Sequence, residues 1–315
     1  MDRTAWSAFK RGFCSVIRDE ILNQLRIAPG TRVRLGDFDP GWAQTDELRE
    51  LGKGAVRERA AAILEKNTGE LAEAQELLWA SATRGVLIIL QGIDASGKDG
   101  TIKHVMRGVN PQGCRVVSFK VPTEAERRRP FLWRHMNAVP ARGEIVIFNR
   151  SHYEETLIVR VHPHLLDPAV YPADSINETF WKQRYEDINA FEHHLARNGT
   201  LILKFYLNIS RDEQKKRFIK RLEDPEKHWK FSTSDVAERE HWEAYRRAFE
   251  DSISATSTDW APWHIIPADQ KWVARALVAE YITSAIRKLK LRYPTVSDDE
   301  HESLNQALRK LRDES

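Results

Sequence analysis

The run Val86-Leu87-Ile88-Ile89-Leu90, followed almost at once by Gly92-Ile93-Asp94-Ala95-Ser96-Gly97-Lys98, constrains the fold of this chain more than any other feature. A short β-branched apolar run without polar alternation reads as a strand buried on both faces, which belongs to parallel sheets. The spacing G-x-x-x-x-G-K, between that strand and a helical run from about Ile102, is a phosphate-binding loop in its required setting. Glycines let backbone N–H groups converge on phosphate oxygens with no Cβ in the way. The following helix adds free N–H donors and the positive end of its dipole. Lys98 supplies a mobile cation for a phosphoryl group.

Similar apolar runs recur at Arg115–Phe119, Glu144–Phe148, Leu201–Leu207 and His264–Ile266, with helical patterns between them. The alternation predicts an α/β fold, a doubly wound parallel sheet with helices on both faces and its ligand at the carboxyl ends of the strands. Residues 1–82 read as a mostly helical extension, broken at Pro29-Gly30 and at Asp37–Gly41. Within it Ala55–Ala82 is helical, with Gly69 weak enough to allow two helices. The core is expected over 83–292 and a helical tail over 293–315. In that tail Ser297-Asp298-Asp299-Glu300 resembles a capping box, and Leu304, Leu308 and Leu311 share a stripe.

A net charge of +3 over 315 residues gives no global field for nucleic acid. The two cysteines, Cys14 and Cys114, suggest no disulfide framework and favour a reducing compartment. No signal-peptide run and no membrane-spanning stretch is visible. A cytoplasmic enzyme with neither nucleic-acid nor membrane partner is expected.

The loop departs from ordinary nucleotide triphosphatases in two places. Asp99 follows the lysine where Ser or Thr is usual, and Asp94 lies inside the loop. A carboxylate among phosphates is repulsive unless it holds a metal, so Asp94 is expected to hold Mg²⁺, with Mn²⁺ as a substitute, and Asp99 to serve the helix start. The strand Glu144–Phe148 runs into Asn149-Arg150-Ser151-His152-Tyr153-Glu154-Glu155. The planar fork of Arg150 suits a phosphate clamp. Asn149 lacks the acidic charge of thymidylate-kinase-type motifs. Glu154 and Glu155 either restore it or begin a solvated helix.

Further on, Ser210 and Glu213 form a capping-box pattern, and Arg217 and Arg221 share a helical face. The stretch continues, basic and aromatic, from Asp224 to Phe231. In small-molecule kinases a segment at this position, here about 210–250, closes over the phosphates as a lid. Polyanion contacts could also come from Lys103, Arg128 and Arg134. His162, His164, His193 and His194 fit no strong zinc spacing and read as surface residues.

The segments GIDASGKDGTIKHV, FLWR, FNRSHYEE, KRFIKRLEDPEKHWKFS and TSTDWAPWHIIPADQKW resemble, in order from about Phe38 to Leu289, the polyphosphate kinase 2 family. The resemblance implies a P-loop kinase-like core with a helical lid, and commonly a homo-oligomer. It implies reversible, Mg²⁺-dependent transfer of the terminal phosphate of inorganic polyphosphate to AMP, ADP or both, with ATP as product of the second stage. The family's loop aspartate and lysine fall on Asp94 and Lys98, its strand-end arginine on Arg150, and its lid arginines on Arg217 and Arg221. Asn149 replaces the family's acid and, with Glu154-Glu155 after it, resembles the subgroup that accepts both AMP and ADP. The expected catalytic set is Asp94, Lys98, Asn149 and Arg150. Substrate contacts are expected from Gly92, Ala95, Ser96, Gly97, Asp99 and Gly100 in the loop, and from Lys103, Arg134, Glu154, Arg217 and Arg221 around it.

Two other readings compete. An ATP-dependent nucleoside or nucleoside-monophosphate kinase would share the loop, the strand-end motif and the lid. A nucleic-acid-binding ATPase or switch is disfavoured by the modest charge and by the lack of a recognised binding module.

Overall fold

Each of the five apolar runs forms a strand to within one residue of its expected ends: β1 (Gly85–Gln91), β2 (Cys114–Ser118), β3 (Ile145–Asn149), β4 (Thr200–Asn208) and β5 (Trp263–Pro267). They make one parallel sheet in the order β2-β3-β1-β4-β5. The computed structural model describes residues 20–230 and 234–314. Cys14 and Phe231 lie outside the described residues.

The longer helices among the described residues are α1 (Lys53–Ser81), α2 (Lys98–Val105), α3 (Glu178–Arg197), α4 (Arg211–Leu222), α5 (Trp242–Thr256), α6 (Lys271–Lys288) and α7 (Asp298–Asp313). Successive β1 side chains point to opposite faces, so both faces need apolar cover. Val86, Ile88 and Leu90 pack with Leu71 and Leu78 of α1, Val105 of α2, and Val278 and Ile282 of α6. Leu87 and Ile89 pack with Ile188 and Phe191 of α3 and Phe249 and Ile253 of α5. This is the P-loop kinase-like, doubly wound arrangement.

Two expectations for the N-terminal region are corrected. Helix α1 runs unbroken through Gly69, where a Cβ would meet nothing within 4 Å. The cost of an interior glycine, about 1 kcal/mol, is outweighed by burial of Leu71 and Leu78 on the sheet-facing stripe. Residues 26–45 hold no helix beyond the 3₁₀ turn Leu35–Asp37. Instead Arg26 bridges His264 antiparallel, and the Ile27 N–H bonds the Trp263 carbonyl, so this segment caps the edge at β5. Ile27, Val33 and Leu35 are buried there.

The α7 capping box forms, with Ser297 Oγ accepting from the Glu300 N–H, while Leu304, Leu308 and Leu311 stay exposed. Among the described residues no helix is long and apolar enough to cross a membrane.

The register fixes the site. Leu90 of β1 pairs with Asn149 of β3, and Gln91 with Tyr206 of β4. The phosphate loop therefore leaves the sheet beside the Asn149-Arg150 turn.

Candidate active site

The loop's shape depends on glycine at its entrance. Gly92 has φ +154°, and a Cβ there would lie 2.7 Å from Ser96 Oγ and 3.1 Å from the Leu207 carbonyl. The loop then folds back on Lys98, whose Nζ donates to the carbonyls of Gly92 at 2.5 Å and Ile93 at 3.3 Å. From outside, the Gln214 side-chain amide donates to the Asp94 carbonyl at 2.9 Å.

Arg217, expected to face a ligand, is spent on this scaffold. Nη1 donates to the carbonyls of Ala95 and Ser96, both at 2.9 Å. Nη2 donates to those of Ala268 and Asp269 at 2.6 and 3.0 Å, and Nε to Glu213 at 2.9 Å. Arg217 thus staples the loop to the end of β5. The expected Ser210–Glu213 capping box is half formed for the same reason. Ser210 Oγ caps the Glu213 N–H, but the Glu213 carboxylate turns to Arg217 and Asp269 takes the Ser210 N–H at 2.7 Å. Holding the carbonyls this way turns the N–H side of the loop, and the start of α2, toward an anion. Ser96 Oγ is buried without a partner beside them.

Burial, with the Arg150 cation second, pushes the Lys98 ammonium down to about 8, although Asp94, Glu154 and Asp99 pull the other way. A buried cation that has lost its solvation gains from a bound polyanion.

Arg150 lies in the left-handed region at φ +64°, at a cost of about 1–2 kcal/mol for a residue with a Cβ. That turn aims the guanidinium at the loop. Nη2 meets Asp94 Oδ1 at 2.6 Å and Nη1 meets Glu154 Oε2 at 3.3 Å. Glu154, and then Asp94, hold its pKa above the ordinary arginine value in spite of burial. Asn149 bonds differently: its Nδ2 donates to Asp99 Oδ1 at 2.8 Å, tying the end of β3 to the first turn of α2. An acid at position 149 would set two carboxylates against each other.

Glu154 and Glu155 occupy a 3₁₀ turn, His152–Thr156, and are too buried to begin a solvated helix. They point opposite ways. Glu154 joins Arg150, while Glu155 pairs with Arg184 at 3.2 Å and Arg134 at 3.9 Å. Arg134 also donates to the Lys120 carbonyl at 2.8 Å and lies over the Phe119 ring. It is therefore committed away from the loop. Arg221 pairs with Asp235 at 3.4 Å, and Arg128 pairs with Glu124. Lys103 is exposed on α2, near Gly100 in sequence and on the same helix.

Several site residues escaped the sequence reading. A pocket next to Asp94, Arg150 and Glu154 is roofed by Glu238, Arg239, Trp242 and Tyr245. Arg239 donates to Gln214 at 2.6 Å, and Glu238 accepts from Tyr245 at 2.7 Å and bonds His162 at 3.0 Å. His162 is thus part of the roof's support and not a free surface residue. The aromatic spacing Trp242, Tyr245, Phe249 was the available signal. Beneath the turn, Glu192 receives Lys204 at 2.6 Å, Tyr153 at 2.8 Å and His152 at 3.1 Å, all fully buried. Burial alone would raise the Glu192 carboxyl, but the Lys204 ammonium and His152 outweigh it and hold it below its usual range.

A family profile described as Polyphosphate kinase 2 (PPK2) matches residues 55–294. The chain belongs to the polyphosphate kinase 2 family. The ADP-polyphosphate phosphotransferase of Rhodopseudomonas palustris is 42% identical over 293 residues, 91% of this chain and 97% of that one. The AMP/ADP-polyphosphate phosphotransferase of Meiothermus ruber is 44% identical over 273 residues, 87% of this chain and 96% of that one. The crystal structure of a polyphosphate kinase 2 from Arthrobacter aurescens superposes with a TM-score of 0.80 at 37% identity, covering 90% of this chain and 95% of that one. The chain is accordingly a kinase, and the fold is the family's.

Kinases of this family generally use a divalent metal. Among the described residues no group of three His, Cys, Asp or Glu side chains could hold one alone. A hard cation that binds one or two carboxylates and completes its shell with phosphates and water needs no such group. Asp94, one-third exposed in its side chain and facing the pocket, fits that mode.

Proposed function

We propose that this protein transfers the terminal phosphate of inorganic polyphosphate to AMP and to ADP, reversibly and with Mg²⁺, in the cytoplasm and as a homo-oligomer. The observation that carries the reading is the convergence of Lys98 with the Arg150–Asp94–Glu154 cluster at the adjoining ends of β1 and β3, in a polyphosphate kinase 2 chain. The names of the R. palustris and M. ruber relatives supply the substrate classes.

Phosphoryl transfer demands positioning and charge neutralisation more than covalent chemistry. The loop N–H groups and Lys98 bind the reacting end of the donor. Arg150 orients the acceptor phosphate and offsets its charge. A phosphate oxygen of AMP or ADP forms the new P–O bond as the bond to the shortened polyphosphate breaks. That oxygen is already ionised at neutral pH, so no strong general base is needed. Bound at Asp94, Mg²⁺ supplies further neutralisation of the phosphate oxygens. The segment 210–250 serves as the lid that excludes water, roofing the pocket with Trp242 and Tyr245.

The test is direct: purified protein, Mg²⁺ and long-chain polyphosphate with AMP or ADP in separate reactions, products resolved by chromatography. ATP from ADP, and ADP from AMP, each dependent on polyphosphate and on Lys98, supports the reading. Phosphorylation of a nucleotide by ATP with no turnover of polyphosphate would replace it with an ATP-dependent kinase.

A further inference from the structure

We propose that α7 (Asp298–Asp313) pairs antiparallel with α7 of a second copy of this chain, and that this pair is a contact surface of the homo-oligomer. The proposal rests on the oligomer part of the reading above and not on the choice of phosphate donor or acceptor.

Every residue from 292 to 314 is exposed, and no residue of α7 is buried. Among the described residues the side-chain hydrogen bonds of α7 stay within the helix and its cap: Ser297 with Glu300, and the Ser303 hydroxyl with the Asp299 carbonyl. A helix of 16 residues standing alone in water is marginal, because helices in proteins draw most of their stability from packing an apolar face. This helix carries such a face outward: Leu304, Leu308 and Leu311 are 57, 46 and 65% exposed.

Spacing identifies what covers that face. The leucines are four and three residues apart, with His301 three residues ahead of the first. That is the narrow a/d seam of a coiled coil, thinner than the broad stripe by which a helix packs on a globular core. The occupant is therefore another helix.

Charge identifies which helix, and its direction. Asp298, Asp299, Glu300 and Glu302 crowd the first half of α7, and Arg309, Lys310 and Arg312 the second. Two copies laid parallel set acid on acid and base on base. Laid antiparallel, they set the acids of each against the bases of the other at both ends, and the two helix dipoles also attract. The arrangement is self-complementary about a two-fold axis. Leu304 of each copy then meets Leu308 of the other, Leu311 meets His301, and Asp298 lies opposite Arg312.

The rest of the chain accommodates the pair. Residues 290–297 form no helix or strand and serve as a tether. Helix α6 starts beside the phosphate loop, with Arg275 against Gly100, and its 18 residues carry the chain away from the loop by roughly 27 Å before that tether begins. Pairing at α7 leaves the active site open.

The experiment is cross-linking of the full chain, with Cys14→Ser and Cys114→Ser and a single new cysteine in α7, by a short bis-maleimide and read as doubled mass on a denaturing gel. Asn305→Cys and Ala307→Cys lie beside the two-fold axis and each join to themselves. Asp298→Cys does not join to itself but joins to Arg312→Cys when the two proteins are mixed. Adding Leu304→Asp/Leu308→Asp weakens association by about ten-fold or more and removes the cross-links, while kcat is kept. Self-joining of Asp298→Cys as readily as of Asn305→Cys overturns the antiparallel pair. So do cross-links that survive the leucine substitutions. A wild type that sediments as an oligomer, with no cross-link at either Asn305→Cys or Ala307→Cys, overturns the α7 pair alone. A wild type that sediments as a monomer at every concentration overturns the homo-oligomer and the pair together.

Discussion

Arg150, in a left-handed turn at the end of β3, donates to Asp94 inside the phosphate loop at 2.6 Å. The sequence left the charge of Asp94 to a metal. The tertiary structure adds a protein cation, so Asp94 is offset before any ligand arrives.

Removing that cation leaves Asp94 and Glu154 facing incoming phosphates. Arg150→Ala is expected to lower kcat/KM by about 10²-fold or more, the scale of losing one preorganised charge at a reacting centre. Arg150→Lys recovers little of this, because an ammonium cannot span Asp94 and Glu154 as the guanidinium fork does. Recovery of most of the activity by lysine would show that charge alone suffices.

Asn149 fits its place because it donates to Asp99. Asn149→Asp sets two carboxylates together and is expected to change the ratio of kcat/KM for AMP to that for ADP by about ten-fold, a free-energy difference of about 1.4 kcal/mol. Adding Asp99→Asn restores a donor–acceptor pair and should return the ratio toward wild type. A ratio that ignores both changes would separate Asn149 from acceptor choice.

Lys98 sets an alkaline limit. Its ammonium is pushed down to about 8, chiefly by burial. It is charged below that pH and loses its proton as pH rises through it, so KM for polyphosphate should be flat below about 8 and climb above. Binding a polyanion favours the charged form, which shifts the fall in kcat to higher pH than the fall in kcat/KM. Identical profiles for the two parameters would argue that Lys98 does not touch the donor.

The Lys204–Glu192 pair is fully buried at 2.6 Å. Lys204→Met strands a carboxylate among Tyr153, His152 and Trp263 and is expected to cost about 3–5 kcal/mol. Thermal or urea unfolding reads this directly. Because Tyr153 and His152 follow Arg150 in the chain, kcat should fall as well at temperatures where the variant remains folded.

The strands were legible to within a residue because a parallel strand covered on both faces tolerates almost nothing but apolar side chains, and that need is written locally. The phosphate loop was legible for a similar reason: Gly92 and Gly97 adopt φ values closed to other residues, so the chain must spell them out. The capping box at Ser297 and Glu300 spans one turn and was equally plain.

The directions and partners of charged side chains were not legible. Glu154 and Glu155 are adjacent letters, yet a 3₁₀ turn sends one to Arg150 and the other to Arg184 and Arg134. Arg217 reads as a ligand-facing cation and instead closes on four loop and strand-end carbonyls. Lys204 sits in an apolar strand, and its partner Glu192 lies on another element. Local sterics and burial dictate periodicity and turns within a few residues. Which charges meet depends on segments far apart in the chain being brought together by the packed sheet, and no short window of sequence carries that information.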